Sequence, residues 1–216
     1  MARDLFRRNE DLPLMIILKN VTLRRGSKVL LDKTSVSLNP GEKVGLVGRN
    51  GAGKSSLLRI CARLLRPAAG QICWQGEDIF KDAEVYGAAS HYVGHQDALK
   101  SVMTVRENIS FWAEYHGAAD VDTALQDFEL EKLADTPAGL LSQGQKKRSN
   151  LARLAASQAT LWILDEPLSA LDRHFIELFR DRLQRHLEAG GMAIFATHQD
   201  LGLEGIHHID LDGGGG

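Results

Sequence analysis

Cysteine is scarce. Cys61 and Cys73 are the only two in 216 residues, and they form neither a CxxC pair nor a spacing ladder of the disulfide-framework kind. That excludes a disulfide-stapled secreted scaffold and fits a reducing compartment, so both are expected as buried thiols. Basic residues are not in excess either. With 26 Lys and Arg against 28 Asp and Glu, and a pI near 6.4, the chain lacks the cationic surplus of a broad nucleic-acid surface, and no nucleic-acid partner is expected. No apolar run reaches the ~18 to 20 residues that span a bilayer, so any membrane role is expected to come through a partner. The leader Met1 to Leu14 mixes acids with its arginines, unlike a signal peptide.

What is present is ordinary soluble-protein material: 44% apolar and 25% charged residues, in a length that suits one domain with a substantial insert. The expected organisation is an N-terminal extension over 1–14, a body over 15–212 and a glycine tail over 213–216. Met15 is an alternative start, beside the first strand-like run.

Met15–Leu23 and Val29–Leu38 alternate apolar and polar residues at period two, predicting an antiparallel hairpin. After the turn Asn39-Pro40-Gly41, Lys43–Val47 reads as a short buried strand entering a glycine-rich loop. The apolar positions Leu57, Ile60, Cys61, Leu64 and Leu65 then predict one helical face, stopped by Pro67. Gln71–Trp74 and Tyr92–Val93 read as strands. From Thr104 to about Ser157 the pattern is helical, with Thr104 as N-cap and Glu107 completing a capping box. The helical insert is placed at about 97–158. Strand character returns at Leu161–Leu164, Met192–Thr197 and His207–Leu211, with a helix over about Leu171–Ala189. Strands interleaved with helices predict an α/β fold built on a mostly parallel sheet.

Gly48-Arg49-Asn50-Gly51-Ala52-Gly53-Lys54-Ser55 has the pattern G-x-x-x-x-G-K-[ST] between a strand and a helix. Glycines allow a tight turn that aims backbone N–H groups at phosphate oxygens, and the helix adds its positive N-terminal end. Lys54 is placed at the β- and γ-phosphates, Ser55 at Mg²⁺, and Ser56 beside them at the helix start. Leu161-Trp162-Ile163-Leu164-Asp165-Glu166 is a buried strand ending in two acids. On an extended chain they face opposite ways, so Asp165 is expected at the Mg²⁺ shell and Glu166 as general base for water. In Leu141-Ser142-Gln143-Gly144-Gln145, Ser142 and Gln145 form a second capping box, and the bare Gly144 leaves an anion site at a helix N-terminus.

Taken together, the chain resembles an ATP-binding-cassette nucleotide-binding domain of the P-loop NTPase fold. Gly48–Ser55 matches the Walker A loop, Gln96 the Q-loop and Leu141–Gln145 the signature. Leu161–Glu166 matches Walker B, Ser169-Ala170-Leu171-Asp172 the D-loop and His198 the switch histidine. The resemblance implies an ATPase using ATP and Mg²⁺. It assigns Gln96 to sensing Mg·ATP at the metal and catalytic centre, and His198 to the γ-phosphate. It further implies a head-to-tail homodimer in which Ser142, Gly144 and Gln145 of one copy meet ATP held by the other, with Asp172 at the seam. Integral-membrane subunits are the implied partners. The signature carries Gln143 where glycine is commoner, and no aromatic stands in the first hairpin for adenine to stack on. Arg25 or Arg24 offers a guanidinium plane instead, or is a solvated turn charge.

Tyr92-Val93-Gly94-His95-Gln96-Asp97-Ala98-Leu99-Lys100, Met103–Asn108 and Thr197-His198-Gln199-Asp200-Leu201 resemble the ATP-binding subunits of cytochrome c maturation haem exporters. That resemblance implies a peripheral protein on the cytoplasmic face of the bacterial inner membrane. Leu30–Asn50 is similar as well to soluble translation-associated cassette ATPases, which is one alternative reading, and the ATPase subunit of another exporter of this family is the other. His207-His208 lacks a CxxCH, and the chain itself is not expected to ligate haem. After Gln96, Leu99 and Val102 are candidates for a partner surface.

Overall fold

A computed structural model describes residues 15–117 and 120–212. The expected extension over 1–14 and the glycine tail lie outside the described residues. Strands β1 (Ile16–Arg25) and β2 (Lys28–Leu38) precede β3 (Lys43–Val47) and helix α1 (Lys54–Cys61). Next come β4 (Ala69–Trp74), β5 (Glu77–Asp78), α2 (Ala83–Ala89) and β6 (Ser90–Val93). Helices α3 (Val105–Tyr115), α4 (Val121–Asp127) and α5 (Gln143–Ala155) follow. β7 (Leu161–Asp165), α6 (Arg173–Glu188), β8 (Met192–Ala196) and β9 (His207–Asp210) complete the order.

The hairpin forms as its alternation predicts, with Arg25 opposite Lys28. It belongs, however, to a separate antiparallel sheet of order β2-β1-β4-β5. β4 therefore joins the hairpin, on the free edge of β1, rather than the parallel sheet. The second sheet has order β6-β7-β8-β3-β9, and every pairing in it is parallel.

β7 and β8 are buried along their whole lengths, as central parallel strands must be when both faces are covered. Their side chains divide by parity. Leu161, Ile163, Met192 and Ile194 enter the core shared with the antiparallel sheet and α1, whereas Trp162, Leu164, Ala193 and Phe195 enter the core under α3, α5 and α6. Register then brings the carboxyl ends of β3, β7 and β8 together: Asp165 and Leu46 both lie opposite Ala196.

Both predicted capping boxes are present. Thr104 Oγ1 accepts from Glu107 N at 3.1 Å, and Glu107 Oε2 accepts from Thr104 N at 2.7 Å. Between Phe128 and Ser142 the helical pattern breaks into short 3₁₀ turns, Glu131–Leu133 and Ala138–Leu140. Cys61 and Cys73 are buried and free, and burial pushes the Cys61 thiol up to about 12.

The predicted reach of the first helix is corrected. α1 stops at Cys61 because Arg63 turns left-handed (φ 59°), well before Pro67. Leu64 and Leu65 therefore leave the buried face and stand exposed.

Candidate active site

The phosphate loop leaves β3 at Val47 and becomes α1 at Lys54. Gly53, at φ 111°, is the N-cap, and a Cβ there would come within 3.0 Å of Leu23 Cδ2. No side chain caps α1, and no acid occupies its first turn. Its first N–H groups and positive end are thus left for an anion.

Lys54 is buried, and its Nζ donates to the carbonyl oxygens of Gly48 at 2.5 Å and Arg49 at 3.3 Å. His198 Nε2 lies 3.5 Å from Lys54 Nζ, 2.9 Å from Asn50 Oδ1 and 3.7 Å from Glu166 Oε1. A phosphate-loop amide, the loop lysine, the strand-end acid and the post-β8 histidine thus meet at one point. Arg49 turns away: its N–H and guanidinium both engage Asp212, at 2.6 and 3.3 Å.

Asp165 closes β7 at 2% exposure. Its Oδ1 accepts from Ser55 Oγ at 3.0 Å, while Oδ2 is buried without a hydrogen-bond partner among the described residues. A hydroxyl beside a buried carboxylate oxygen lacking a donor is a hard-oxygen set that fits Mg²⁺. Glu166 turns off the strand at φ 50°, the left-handed region, so its carboxylate points into the cleft while Asp165 stays under the loop.

The cleft has a volume of about 710 Å³. Lys54, Ser55, Ser56, Asn50, Gly51, Gly53, Asp165, Glu166 and His198 line it at the phosphate end, and Arg24 and Arg25 line it beside the hairpin. Arg59, Leu65, His95 and Ser169 also face it: the sequence put Leu65 on a buried helix face, His95 beside Gln96 and Ser169 in the D-loop match, and gave Arg59 no role. Leu65 gets there only because α1 ends early. Gln96 lies elsewhere. It is exposed and lines a separate aromatic groove with Phe111, Trp112 and Tyr115, while its neighbour His95 faces the cleft.

Ser142, Gly144, Gln145 and Asp172 do not line the cleft of their own chain. Ser142 caps α5, its Oγ accepting from Gln145 N at 3.3 Å and its N–H donating to Gln145 Oε1 at 2.8 Å. Asp172 caps α6, accepting from Phe175 N at 3.1 Å. A Cβ on Gly144 would come within 3.3 Å of the Ala170 carbonyl, so this position is close-packed against the turn after Glu166.

The family profile described as ABC transporter matches residues 31–169. The cytochrome c biogenesis ATP-binding export protein CcmA of Rhodospirillum rubrum is 50% identical over 190 residues, covering 87% of this chain and 82% of that protein. Its counterpart from Paramagnetospirillum magneticum is 45% identical, covering 90% of this chain and 92% of that one. A solved ATP-binding subunit of an ABC transporter has the same fold, with TM-score 0.80 and 24% identity over 85% of this chain and 79% of that one. With the phosphate loop, the signature and the acid-ended strand all inside the matched span, the chain belongs to the ABC transporter family, as one of its ATP-binding proteins.

Proposed function

We propose that this chain hydrolyses ATP to drive an export complex of c-type cytochrome biogenesis, with haem as the cargo handled by its membrane subunits. The observation that carries the chemistry is the meeting of Lys54, Asn50, Glu166 and His198 above the Ser55–Asp165 pair. The export role is supported by the names of the relatives at 50% and 45% identity.

Loop N–H groups and the Lys54 ammonium hold the β- and γ-phosphates, which Lys54 reaches by exchanging its loop carbonyls for phosphate oxygens. Ser55 Oγ and Asp165 would hold Mg²⁺, which neutralises charge between those phosphates. Glu166 accepts a proton from water as the water oxygen bonds to the γ-phosphorus and the bond to the β–γ bridging oxygen breaks, releasing ADP and phosphate. His198, held by Asn50, positions the γ-phosphate and the water. Arg25 or Arg24 flanks the base.

Because Ser142, Gly144, Gln145 and Asp172 stand away from their own cleft, a head-to-tail second copy is the arrangement that uses them. The membrane subunit is placed at the groove beside Gln96. Val102 is 88% exposed but does not line that groove, whereas Leu99 packs into the helical core and is not available to a partner. Among the described residues no helix is long and apolar enough to cross a membrane. The proposed location is the cytoplasmic face of the inner membrane, as a peripheral subunit. His207 and His208 serve as strand residues of β9, and haem handling is assigned to the partners. Purification from membranes is the test. Co-purifying integral-membrane subunits and ATP turnover are expected, and recovery solely with ribosomes would move the assignment to the translation-associated class.

A further inference from the structure

Lys147 has no part in the chemistry above, yet it is 3% exposed in the second turn of α5. Its Nζ donates to the Glu166 carbonyl oxygen at 2.8 Å. The same oxygen accepts from Ser169 Oγ at 3.0 Å and from Ser169 N at 3.3 Å, while Glu166 N donates to Ala196 O at 2.8 Å. No carboxylate lies within ion-pair distance of Lys147 among the described residues. Burial lowers its pKa, and Asp97, Asp165 and Glu166 oppose that shift. A buried ammonium aimed at a backbone carbonyl costs desolvation, and its return is the geometry it imposes.

Glu166 needs that restraint. At φ 50° it adopts a conformation that L-residues with side chains disfavour, and Pro167 narrows its options further. The turn that begins at Glu166 also meets α5 at its other end, where Gly144 packs under the carbonyl of left-handed Ala170 (φ 62°). The first turns of α5 thus grip the turn from Glu166 to Ala170 at two points.

We infer that Lys147 is a positioning residue for hydrolysis: it holds the Glu166 backbone so that the carboxylate enters the cleft, and it ties that aim to the helix carrying Ser142 and Gly144. Seating of the signature helix is thereby transmitted to the base within one chain. The inference rests on reading Glu166 as the base.

The test compares the wild type, Lys147→Met, Glu166→Gln and the double variant, each assayed as the full chain with Mg·ATP. In K147M, kcat is expected to fall by about ten- to a hundredfold with the ATP KM changed by less than about twofold. Adding K147M to E166Q is expected to leave the residual single-turnover rate unchanged, because the aim of an absent base no longer matters. Lys147→Arg, which keeps a charged donor, should turn over several-fold faster than K147M. A kcat within about twofold of wild type in K147M, an equal penalty in the E166Q background, or no recovery in a folded K147R would overturn the inference. If K147M is too unstable to assay, Lys147→Gln is read by the same criteria. Wild-type turnover in E166Q alone would instead remove the base assignment, whatever Lys147 does.

Discussion

Ser55 Oγ donates to Asp165 Oδ1 at 3.0 Å, joining the first residues of α1 to the last residue of β7 across 110 positions of sequence. The other Asp165 oxygen is buried and without a donor among the described residues. A carboxylate oxygen in that state costs more than about 1 to 3 kcal/mol unless something compensates it. A divalent cation is the compensation that suits a hydroxyl–carboxylate pair.

Mg·ATP is therefore expected to stabilise the fold. A ligand at about a hundred times its Kd adds ~2.7 kcal/mol, read as a rise of several degrees in Tm. Asp165→Asn should remove most of the Mg²⁺-dependent part while leaving the ligand-free Tm close to wild type or above it, since it relieves a buried charge. A variant whose Tm still responds to Mg²⁺ as the wild type does would exclude Asp165 from the metal shell.

Glu166→Gln keeps the shape of the side chain and every backbone bond of the turn, but it cannot accept the proton of water. Turnover should fall by about 10² to 10⁴-fold, the usual range for a removed general base. ATP affinity should persist, and an ATP-bound dimer should accumulate, visible as a doubled mass in size-exclusion chromatography with Mg·ATP.

Leu64 is 61% exposed at the mouth of the groove that contains Gln96, Phe111, Trp112 and Tyr115. Leu64→Glu removes no core contact, so stability and ATP binding by the isolated chain should match wild type. Co-sedimentation with membranes containing the export subunits should drop. Undiminished co-sedimentation would place the docking surface elsewhere, with Val102 next to be tried.

Stability should fall on mild acidification. Burial drives the His91, His116 and His186 rings to bind protons more weakly than usual, with His186 down to about 4. His186 stacks on Trp162 at 3.9 Å, and its Nε2 donates to Met192 O at 3.2 Å. The unfolded chain binds these protons near pH 6.5 and the folded chain does not, so this stabilisation is full above pH ~6.5 and declines below it. For His186 the decline is up to about 1.4 kcal/mol per pH unit between 6.5 and about 4. Denaturant titrations across that window should show a shallower pH slope for His186→Phe than for wild type. Parallel slopes would mean the ring is already protonated in the fold.

Much of this architecture was legible in the chain because its signals are local. The phosphate loop is contiguous, so its glycines, lysine and flanking elements declare themselves without a partner. Period-two alternation announced β1 and β2, and the short-range bonds of Thr104 with Glu107 and Ser142 with Gln145 announced two helix starts. Strand alternation was the ground for expecting separate tasks of Asp165 and Glu166, but both line the one cleft, and Glu166 is aimed by its left-handed turn past the end of β7.

What stayed hidden depends on distance. Leu64 and Leu65 fit the helical period of α1, and only the left-handed Arg63 turns them out to solvent and Leu65 into the cleft. β4 looked like any other strand until the free edge of β1 took it into the antiparallel sheet. Within His95-Gln96-Asp97, the chain could not say which side chain faces the cleft, since that depends on how the loop after β6 turns His95 to the cleft and Gln96 to the aromatic groove. Lys147 is not singled out by the sequence, where it stands between Lys146 and Arg148. Folding α5 against the end of β7 brings its ammonium to the Glu166 carbonyl and makes it a buried cation. By itself the sequence determined the nucleotide chemistry, because hydrogen-bonding groups that cradle phosphate are supplied by consecutive residues. Only the tertiary structure decided which side chains hold that chemistry in place, because their partners are brought near by packing, not by chain order.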